Sequence, residues 1–319
     1  MRITRDMQAM GPAPAGGAVL SLGVFDGVHL GHQAILAANR CTAEELEAEP
    51  TVLTFGSHPK GVLLGRAPRT LTTLDHRLEL FERAGIKHTI VLPFDQKLSQ
   101  TSAEDFTREI LVKALGTRHF VLGFDSHFGQ GRRGNAELLA EMGYEISVVP
   151  MVMVAHRGVS STAIREAVEL GDLPAARRML GRRVSVLGTV VTGNQLGRQL
   201  GFPTANLDLH HELHPPVGVY ACRAHVLAGD RIERPVGTYG AVCNIGFRPT
   251  IDGKPADLPV VEAYLLDFEG DLYGERIELE FVECLRGEQR FAGLEALKAQ
   301  IARDVAHGRE RLSQESPQG

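Results

Sequence analysis

The amino-acid sequence predicts an α/β plus β protein of two domains: a parallel sheet with helices on both sides, then a small antiparallel β-barrel with a terminal helix. Three observations lead to this prediction. The chain has 319 residues, which suggests two domains rather than one. Its first half alternates strand patterns with helical patterns, whereas its second half carries short alternating strands separated by Gly, Pro and Asp.

The strand patterns of the first half are short and rich in β-branched residues, and they cover residues 18–25, 51–55, 88–94, 119–125 and 146–154. Helical patterns lie between them, among them 75–84 and 102–115. Strands that alternate with helices favour a parallel sheet, and ligands of such sheets bind at the carboxyl ends of the strands. Functional motifs are therefore expected just after strands. The segment before residue 18 is assigned no role.

The second half alternates most clearly at residues 276–281, where Ile277, Leu279 and Phe281 share one face. Further strands are predicted at 184–191, 218–226, 236–244 and 260–268, and a final helix at 294–312. This pattern favours a small antiparallel barrel. A helix over 161–170 and a break at 171–174 precede it, so we predict domains at 1–182 and 183–319.

Composition excludes several classes of partner and location. The formal net charge is −5, so no broad basic field predicts nucleic acid or an anionic membrane as a partner. The four cysteines have no paired spacing, which is typical of thiols in a reducing cytoplasm. Neither an apolar signal core nor a bilayer-spanning run is present in the sequence, so a cytoplasmic protein is expected. Oligomeric state is left open, with a homo-oligomer among the options.

The most informative segment of the first half is Gly23-Val-Phe-Asp-Gly-Val-His-Leu-Gly-His32, directly after the first strand. It runs into a helix that is expected to begin near Gln33. His29 and His32 would lie at the entrance of this helix, where unpaired N–H groups and the positive end of the helix dipole favour phosphate. Gly31 would let the backbone approach that phosphate closely.

This segment resembles the pattern G-x-F-D-G-V-H-x-G-H of the HxGH nucleotidyltransferases, in particular the FMN adenylyltransferase half of bacterial bifunctional riboflavin kinase/FAD synthetases. Ser160-Ser-Thr-Ala-Ile-Arg165 is similar to the family's second ATP-phosphate element. The resemblance implies a Rossmann-like domain in which His29 and His32 stabilise charge and Arg165 binds the leaving pyrophosphate. It further implies ATP contacts at Gly23, Phe25, Asp26, Gly31, His32, Ser160, Ser161, Thr162 and Arg165.

Two more segments resemble the flavin side of that family: Thr54-Phe-Gly-Ser-His-Pro59 is similar to T-F-x-P-H-P, and Gly123-Phe-Asp-Ser-His-Phe-Gly129 to G-x-D-F-x-F-G. The resemblance implies flavin contacts at Phe55, Pro59, Asp125 and Phe128, together with Arg248 of the second half. The family's usual residues are replaced at four positions, namely Gly56, Ser57, Ser126 and His127. These departures give weight to an alternative, a riboflavin kinase with a weakened adenylyltransferase half.

The run Gly129-Gln-Gly-Arg-Arg-Gly134 fits the dinucleotide-binding pattern G-x-G-x-x-G, but its context does not. It follows the fourth strand at a distance rather than the first strand directly, and the next strand ends without the expected acidic residue. We therefore interpret it as a mobile basic loop over the active site, which would bring Arg132 and Arg133 near phosphate.

The second half carries its own glycine-rich run, residues 188–206, which Pro203 makes more rigid. Backbone N–H groups of such a loop can bind phosphate. The Thr204 hydroxyl and the Asn206 amide oxygen are hard ligands suited to Mg²⁺, which prefers a few protein oxygens together with phosphate and water.

This run resembles the flavokinase signature G-R-x-L-G-F-P-T-A-N. The resemblance implies ATP contacts at Gly193, Arg198, Gly201 and Pro203, Mg²⁺ on Thr204 and Asn206, and Glu262 as the base for the riboflavin 5′-hydroxyl. Glu262 shares a strand face with Tyr264, opposite Val261 and Ala263, so this face is not simply core. Tyr264 replaces a frequent histidine of the family, and Gly308 a frequent alanine.

Together the two resemblances imply a bifunctional enzyme with ATP as co-substrate. It phosphorylates riboflavin to FMN, then adenylylates FMN to FAD with release of pyrophosphate. Two alternatives of other kinds stay open at this point: a different adenylyl- or cytidylyltransferase, which the flavokinase signature argues against, and a non-catalytic flavin-binding protein that has kept the fold. The products formed from riboflavin, Mg²⁺ and ATP distinguish them.

Overall fold

The structure is a computed structural model that describes residues 1–5, 11–57, 59–65, 68–193, 196–227, 236–247 and 259–315. The chain divides into two compact units, Met1–Ser161 and Thr162–Gly319. The predicted boundary between residues 182 and 183 stays a prediction.

The first unit contains a six-stranded parallel sheet with the order β1-β4-β3-β2-β5-β6. Its strands are β1 (Arg2–Thr4), β2 (Ala18–Leu22), β3 (Glu49–Phe55), β4 (His88–Leu92), β5 (Thr117–Gly123) and β6 (Glu145–Val149). A separate two-stranded antiparallel sheet is formed by β7 (Met153–Val154) and β8 (Arg157–Gly158). The parallel-sheet prediction is confirmed.

Six helices accompany these strands among the described residues: α1 (Leu30–Glu45), α2 (Pro59–Leu64), α3 (Leu74–Arg83), α4 (Gln96–Ser99), α5 (Ala103–Asp105) and α6 (Ala136–Glu141). A π-helical stretch, Phe106–Ala114, continues α5, so the single helix predicted at 102–115 is not regular. Ser102 caps its start as the sequence indicates, because its hydroxyl accepts a hydrogen bond from the Asp105 N–H.

The strand order places the functional loops. From β2 the chain adds β3 and β4 on one side and later β5 and β6 on the other, so β2 and β5 are neighbours at the point where the order reverses. Ligands of parallel sheets bind in the crevice beyond the carboxyl ends of such a strand pair. The loops that begin at Gly23 and Phe124 therefore flank this crevice.

Two parts of the first unit differ from the sequence-based expectation. Arg2–Thr4, to which the sequence assigned no role, pairs in parallel with β4 and forms an edge of the sheet. The strand predicted at 146–154 ends at Val149, and the chain then turns into the β7–β8 hairpin. A three-residue strand carries too little periodicity to be recognised, because its position depends on its partner rather than on its own pattern.

The second unit begins within α7 (Ser161–Glu169), at its second residue, and continues with α8 (Leu173–Leu180). A closed six-stranded barrel of order β10-β13-β12-β11-β14-β9 follows. The barrel strands are β9 (Ser185–Val191), β10 (Ala205–Asp208), β11 (Gly218–Val226), β12 (Gly237–Gly246), β13 (Val260–Leu265) and β14 (Arg276–Arg286). A short helix, α9 (Leu196–Leu200), precedes β10, and α10 (Leu294–Gln314) ends the described chain. The predicted barrel and terminal helix are confirmed.

Strand β10 corrects one expectation. The sequence placed Thr204 and Asn206 in a loop, whereas Asn206 lies on a strand that pairs with both β9 and β13 and so closes the barrel. Closure leaves no open sheet edge in this barrel. The position of Asn206 is thereby fixed by two ladders of backbone hydrogen bonds.

Alternate residues of the barrel strands form its interior, including Ala241, Cys243, Ala263 and Phe281. Cys222 lies there too, and burial raises the pKa of its thiol well above the ordinary value, which keeps it protonated. The four cysteines are all free thiols.

Helix α10 is held against the barrel by packing and by charge. Gly308 faces β12 so closely that a Cβ there would lie 2.6 Å from Val242 Cγ2. The buried Asp304 carboxylate receives a bidentate pair from Arg286, with Nη2–Oδ2 at 2.7 Å and Nε–Oδ1 at 3.1 Å.

Candidate active sites

The loop after β2 has an unusual backbone. Phe25, Gly27 and Val28 all have positive φ, at 54°, 82° and 39°. Non-glycine residues rarely adopt this region, so the surroundings must hold them there. The Gly27 N–H donates to Thr72 Oγ1 at 2.9 Å, and the ring of Phe25 packs edge-to-face on Phe81 with centroids 5.5 Å apart.

Asp26, expected from the resemblance to contact ATP, is buried, and its carboxylate faces the segment before α3. Its Oδ1 accepts hydrogen bonds from the backbone N–H groups of Leu71 at 2.9 Å and Thr72 at 3.1 Å. The Asp26 carbonyl accepts a bond from Ser161 Oγ at 2.9 Å. Asp26 therefore joins the loop after β2 to Ser161, the first residue of α7.

The two histidines sit at the start of α1, as predicted, although the helix begins at Leu30 rather than near Gln33. His29 is its N-cap, and its Nδ1 accepts a bond from the His32 N–H at 3.4 Å. The two imidazole rings stack with centroids 3.6 Å apart and an angle of 17°. Gly31 lies between them, where a Cβ would come within 3.3 Å of the His29 ring.

This arrangement can bind an anion. The N–H groups of the first helical turn and two stacked imidazoles converge at one helix terminus. Phe25 supports the pair, because its ring packs edge-to-face on His32 at 5.2 Å. The start of α1 is thus suited to a phosphate on which charge develops.

The Ser-Ser-Thr element forms the beginning of α7. Ser160 immediately precedes the helix and is exposed, Ser161 is its first residue, and Thr162 is exposed. Arg165 lies one turn further and is half-buried. Only Ser160 and Ser161 belong to the first unit; Thr162 and Arg165 belong to the second.

The residues predicted to contact flavin have different surroundings. Phe55 ends β3 and packs edge-to-face on Phe94 at 5.3 Å, and Pro59 begins α2. Asp125 is exposed in the loop after β5. Phe128 is buried in the core 6.0 Å from the Phe106 ring, and Arg248 lies outside the described residues.

The loop after β5 contains an exposed aromatic residue, Phe124, that belongs to none of the predicted flavin contacts. Phe124 is 51% exposed at the carboxyl end of a strand beside the switch point, so its face can stack on a planar ligand. Ser126, which replaces the family's phenylalanine, holds this turn, because its hydroxyl accepts a hydrogen bond from the Gly123 N–H at 3.0 Å. An aromatic residue directly after a strand is the signal that could have identified Phe124.

Packing explains the first and last glycines of the G-x-G-x-x-G run, Gly129 and Gly134. A Cβ at Gly129, which has φ 70°, would lie 2.6 Å from Ala103 Cα, and a Cβ at Gly134 would lie 2.4 Å from the Phe128 ring. Arg132 and Arg133 are exposed. This geometry agrees with the rejection of a dinucleotide site.

In the barrel, polar residues on three adjacent strands form a row that includes Glu262. Glu262 on β13 lies directly opposite Asn206 on β10 and directly opposite Asn244 on β12. Opposed residues of antiparallel strands present their side chains on the same face. Glu262 is half-buried on this face, and its neighbours in β13, Val261 and Ala263, point into the barrel.

The glycine-rich loop lies against the two predicted metal ligands. A Cβ at Gly193 would come 2.3 Å from Asn206 Nδ2, and a Cβ at Gly197 would come 3.1 Å from Thr204 Oγ1. Asn206 is 5% exposed, and its Oδ1 is a buried polar atom with no hydrogen-bond partner in the described part of the chain. An oxygen of this kind is suited to a hard cation such as Mg²⁺.

A cavity of about 320 Å³ opens beside Thr204, with Ala205 and Ala263 among its lining residues rather than Asn206 and Glu262. Its walls include Arg198, Pro203 and Thr204 from the glycine-rich run, with Phe268 and Tyr273 from the segment after β13. Gly201, with φ 88°, turns the chain after α9 toward Pro203. The structure thus brings together three residues that the sequence predicted for nucleotide and metal binding.

Among the described residues, no helix is both long and apolar enough to cross a membrane. Likewise, no cluster of three or more His, Cys, Asp or Glu side chains in that part of the chain could hold a metal ion. A Thr–Asn pair completed by phosphate oxygens and water is a different type of site.

Two loops of the kind that can bind phosphate, one on a parallel sheet and one on a barrel, indicate a bifunctional nucleotide-dependent transferase. The FAD synthetase family model matches residues 12–163, and the riboflavin kinase family model matches residues 180–312. The chain belongs to the family of bifunctional riboflavin kinase/FMN adenylyltransferases.

Relatives of that description support this assignment over nearly the full length. One from Haemophilus influenzae is 36% identical over 294 residues, 91% of this chain and 92% of its own. One from Escherichia coli K12 is 36% identical over 315 residues, 97% of each chain. A solved structure from Streptococcus pneumoniae, described as a macrolide-efflux protein, is 28% identical, with a TM-score of 0.79 over 96% of this chain and 98% of its own.

The predicted family, fold class and double enzymatic activity are therefore confirmed. The chain is a riboflavin kinase and an FMN adenylyltransferase, with riboflavin, FMN and ATP as its small-molecule substrates. No finding supports the alternative of a riboflavin kinase with a weakened adenylyltransferase half.

Proposed function

We propose that Glu262 is the base of the riboflavin kinase reaction and accepts the proton of the riboflavin 5′-hydroxyl. The observation that carries this proposal is the row of Asn206, Glu262 and Asn244 across β10, β13 and β12. It places the only carboxylate of the row directly opposite Asn206. The freed oxygen forms its bond to the γ-phosphorus of ATP as the bond to the β-phosphate oxygen breaks, which gives FMN and ADP.

Thr204 and Asn206 are proposed to hold Mg²⁺ in this reaction. The buried Asn206 Oδ1 and the close approach of Gly193 and Gly197 support this assignment. A bound Mg²⁺ would neutralise phosphate charge. Arg198 and Pro203, which line the cavity beside Thr204, are proposed to contact ATP together with Gly193 and Gly201.

For the second reaction, we propose that FMN phosphate attacks the α-phosphorus of ATP and that pyrophosphate leaves. His29 and His32 stabilise the charge that develops, with support from their stacked position at the start of α1. The FMN phosphate is already anionic, so this step needs no general base. Arg165 is proposed to bind the leaving pyrophosphate, a role that rests on its place in the Ser-Ser-Thr element.

The ATP contacts proposed for this reaction are Gly23, Phe25, Gly31, Ser160, Ser161 and Thr162, with Asp26 acting through the shape of the loop. Phe55, Pro59 and Asp125 are kept as proposed flavin contacts, and exposed Phe124 is added to them. Buried Phe128 is proposed to shape this side from the core.

We also propose a cytoplasmic location and the absence of a nucleic-acid partner. The four free thiols support a reducing cytoplasm. The net charge of −5 supports a protein without a nucleic-acid partner. A homo-oligomer is compatible with these observations and is tested by the mass of the purified protein in solution.

One experiment tests both assignments. The full chain is incubated with riboflavin, ATP and Mg²⁺, and its products are separated by chromatography; FMN is then supplied directly in a second reaction. Glu262→Gln should abolish FMN formation but convert supplied FMN to FAD. His29→Ala should form FMN but little FAD, with a rate loss on the order of 10²–10³. If folded Glu262→Gln lost both activities, or His29→Ala kept full FAD output, the corresponding role would be wrong.

A further inference from the structure

Arg77 is a buried arginine of α3 that the mechanism above does not use. It lies in the first turns of the helix, and its side chain crosses to the carboxyl ends of β2 and β3. Burying a guanidinium is costly unless its N–H groups are hydrogen-bonded. The hydrogen-bond partners of Arg77 therefore indicate its role.

The Arg77 guanidinium hydrogen-bonds to two segments, the loop after β2 and the end of β3. Nη1 donates to the carbonyl of Val24, inside the loop that leads to His29, and to Thr54 Oγ1 at 3.1 Å. Nη2 donates to the carbonyl of Phe55 at 3.2 Å. Val24 belongs to the segment that is proposed to bind ATP, whereas Thr54 and Phe55 belong to the segment that is proposed to line the flavin side.

Thr54 extends the same connection. It is buried, and its hydroxyl donates to the Val24 carbonyl at 3.3 Å while accepting from Arg77. The Val24 carbonyl, just before the positive-φ residue Phe25, is thus held by two donors. A guanidinium can serve several acceptors at once because its donors are fixed in one plane, which a lysine ammonium cannot match.

We propose that Arg77 is a positioning residue for adenylyl transfer, which sets the distance between the ATP loop and the flavin segment. The reacting phosphate oxygen of FMN and the α-phosphorus of ATP must meet in line, and a displacement of about 1 Å can cost roughly 10² in rate. Arg77 touches neither substrate in this proposal. It acts through Val24, Thr54 and Phe55, and the inference rests on the proposed site around His29.

The test compares Arg77→Lys with Arg83→Lys, a control at an exposed position near the end of the same helix. Both are made in the full chain, and kcat and KM are measured separately for FMN and ATP, with riboflavin phosphorylation as an internal control. Arg77→Lys should lower kcat for FMN adenylylation about 10- to 100-fold. It should change KM for ATP little and leave phosphorylation and the Arg83→Lys control unchanged.

A second pair is used because Arg77→Lys can also weaken the fold. Thr54→Val removes the hydroxyl at nearly constant shape and should lower the same kcat, whereas Thr54→Ser keeps the hydroxyl and should restore most of it. The proposal is overturned if Arg77→Lys or Thr54→Val lowers the melting temperature but leaves kcat for adenylylation unchanged. If His29→Ala kept full FAD formation, the proposed adenylylation site would be wrong, and this outcome is distinct from a failure of the Arg77 proposal.

Discussion

Asn206 and Glu262 occupy directly opposed positions on β10 and β13, so the proposed metal ligand and the proposed base of the kinase share one face of the barrel. Asn206 is also in register with Val191 on β9, so its backbone is held from both sides. Because paired strands have little freedom to move, the separation of the two side chains is built into the barrel.

Asn206→Leu should abolish most riboflavin phosphorylation because it removes the buried oxygen while keeping the branching and the number of side-chain heavy atoms. We expect a loss of about 10² or more in the rate, while conversion of supplied FMN to FAD continues. Asn206→Asp keeps an oxygen ligand and should retain activity with a changed dependence on Mg²⁺ concentration. Equal Mg²⁺ dependence in Asn206→Asp and the wild type would argue against a metal at this residue.

Gly193→Ala tests the close approach of the glycine-rich loop. The new Cβ would lie 2.3 Å from Asn206 Nδ2, so either the loop or the amide has to move. We expect a loss of kinase activity of about 10-fold or more, by displacement of groups that must be positioned closely. Gly287→Ala is the matched control, because a Cβ there meets nothing within 4 Å. Full kinase activity in Gly193→Ala would show that the reaction does not require the observed position of the Asn206 side chain.

Gly308→Ala should destabilise the docking of α10, although alanine is frequent at this position in the family. The Cβ would lie 2.6 Å from Val242 Cγ2, and overpacking of this kind typically costs about 1–3 kcal/mol. Thermal unfolding of Gly308→Ala measures the loss. The double variant Gly308→Ala with Val242→Ala should lose less stability than the sum of the two single changes, and strict additivity would contradict the proposed clash.

His88 should make stability depend on pH. Its Nδ1 lies 3.0 Å from Arg2 Nη2 and 3.5 Å from Glu49 Oε2, and its Nε2 lies 2.9 Å from Thr4 Oγ1. Burial, with Arg2 as a second cause, holds the pKa of His88 below its ordinary value of 6.5. The unfolded chain therefore binds the proton more readily than the folded chain. Its contribution to stability is present above pH 6.5 and is lost as the pH falls below it.

The measurement for this prediction is the melting temperature between pH 7.5 and 5 for the wild type and for His88→Asn, which cannot titrate. The variant should lose less stability on acidification than the wild type. Since other histidines and the carboxylates contribute to both proteins, only the difference between the two curves reports on His88. Parallel curves would show that protonation of His88 does not weaken the fold.

The sequence by itself determined the two fold classes, the two glycine-containing loops and the family. Strand and helix periodicities over five or more residues are a local signal, and most of the longer elements, such as β11 at Gly218–Val226, lie close to their expected places. The paired histidines were recognised for a similar reason. A helix entrance after a first strand is a local feature, and local features can be read from spacing.

Only the tertiary structure decided what each polar group faces. Asp26 was expected at ATP from its place in the motif, yet its carboxylate is hydrogen-bonded to Leu71 and Thr72, 45 and 46 residues away. Arg77 lies in none of the sequence motifs. The strand position of Asn206 and its alignment with Glu262 depend on barrel closure, which pairs residues that are distant in the chain. Such contacts are set by packing between elements, and no local pattern encodes them.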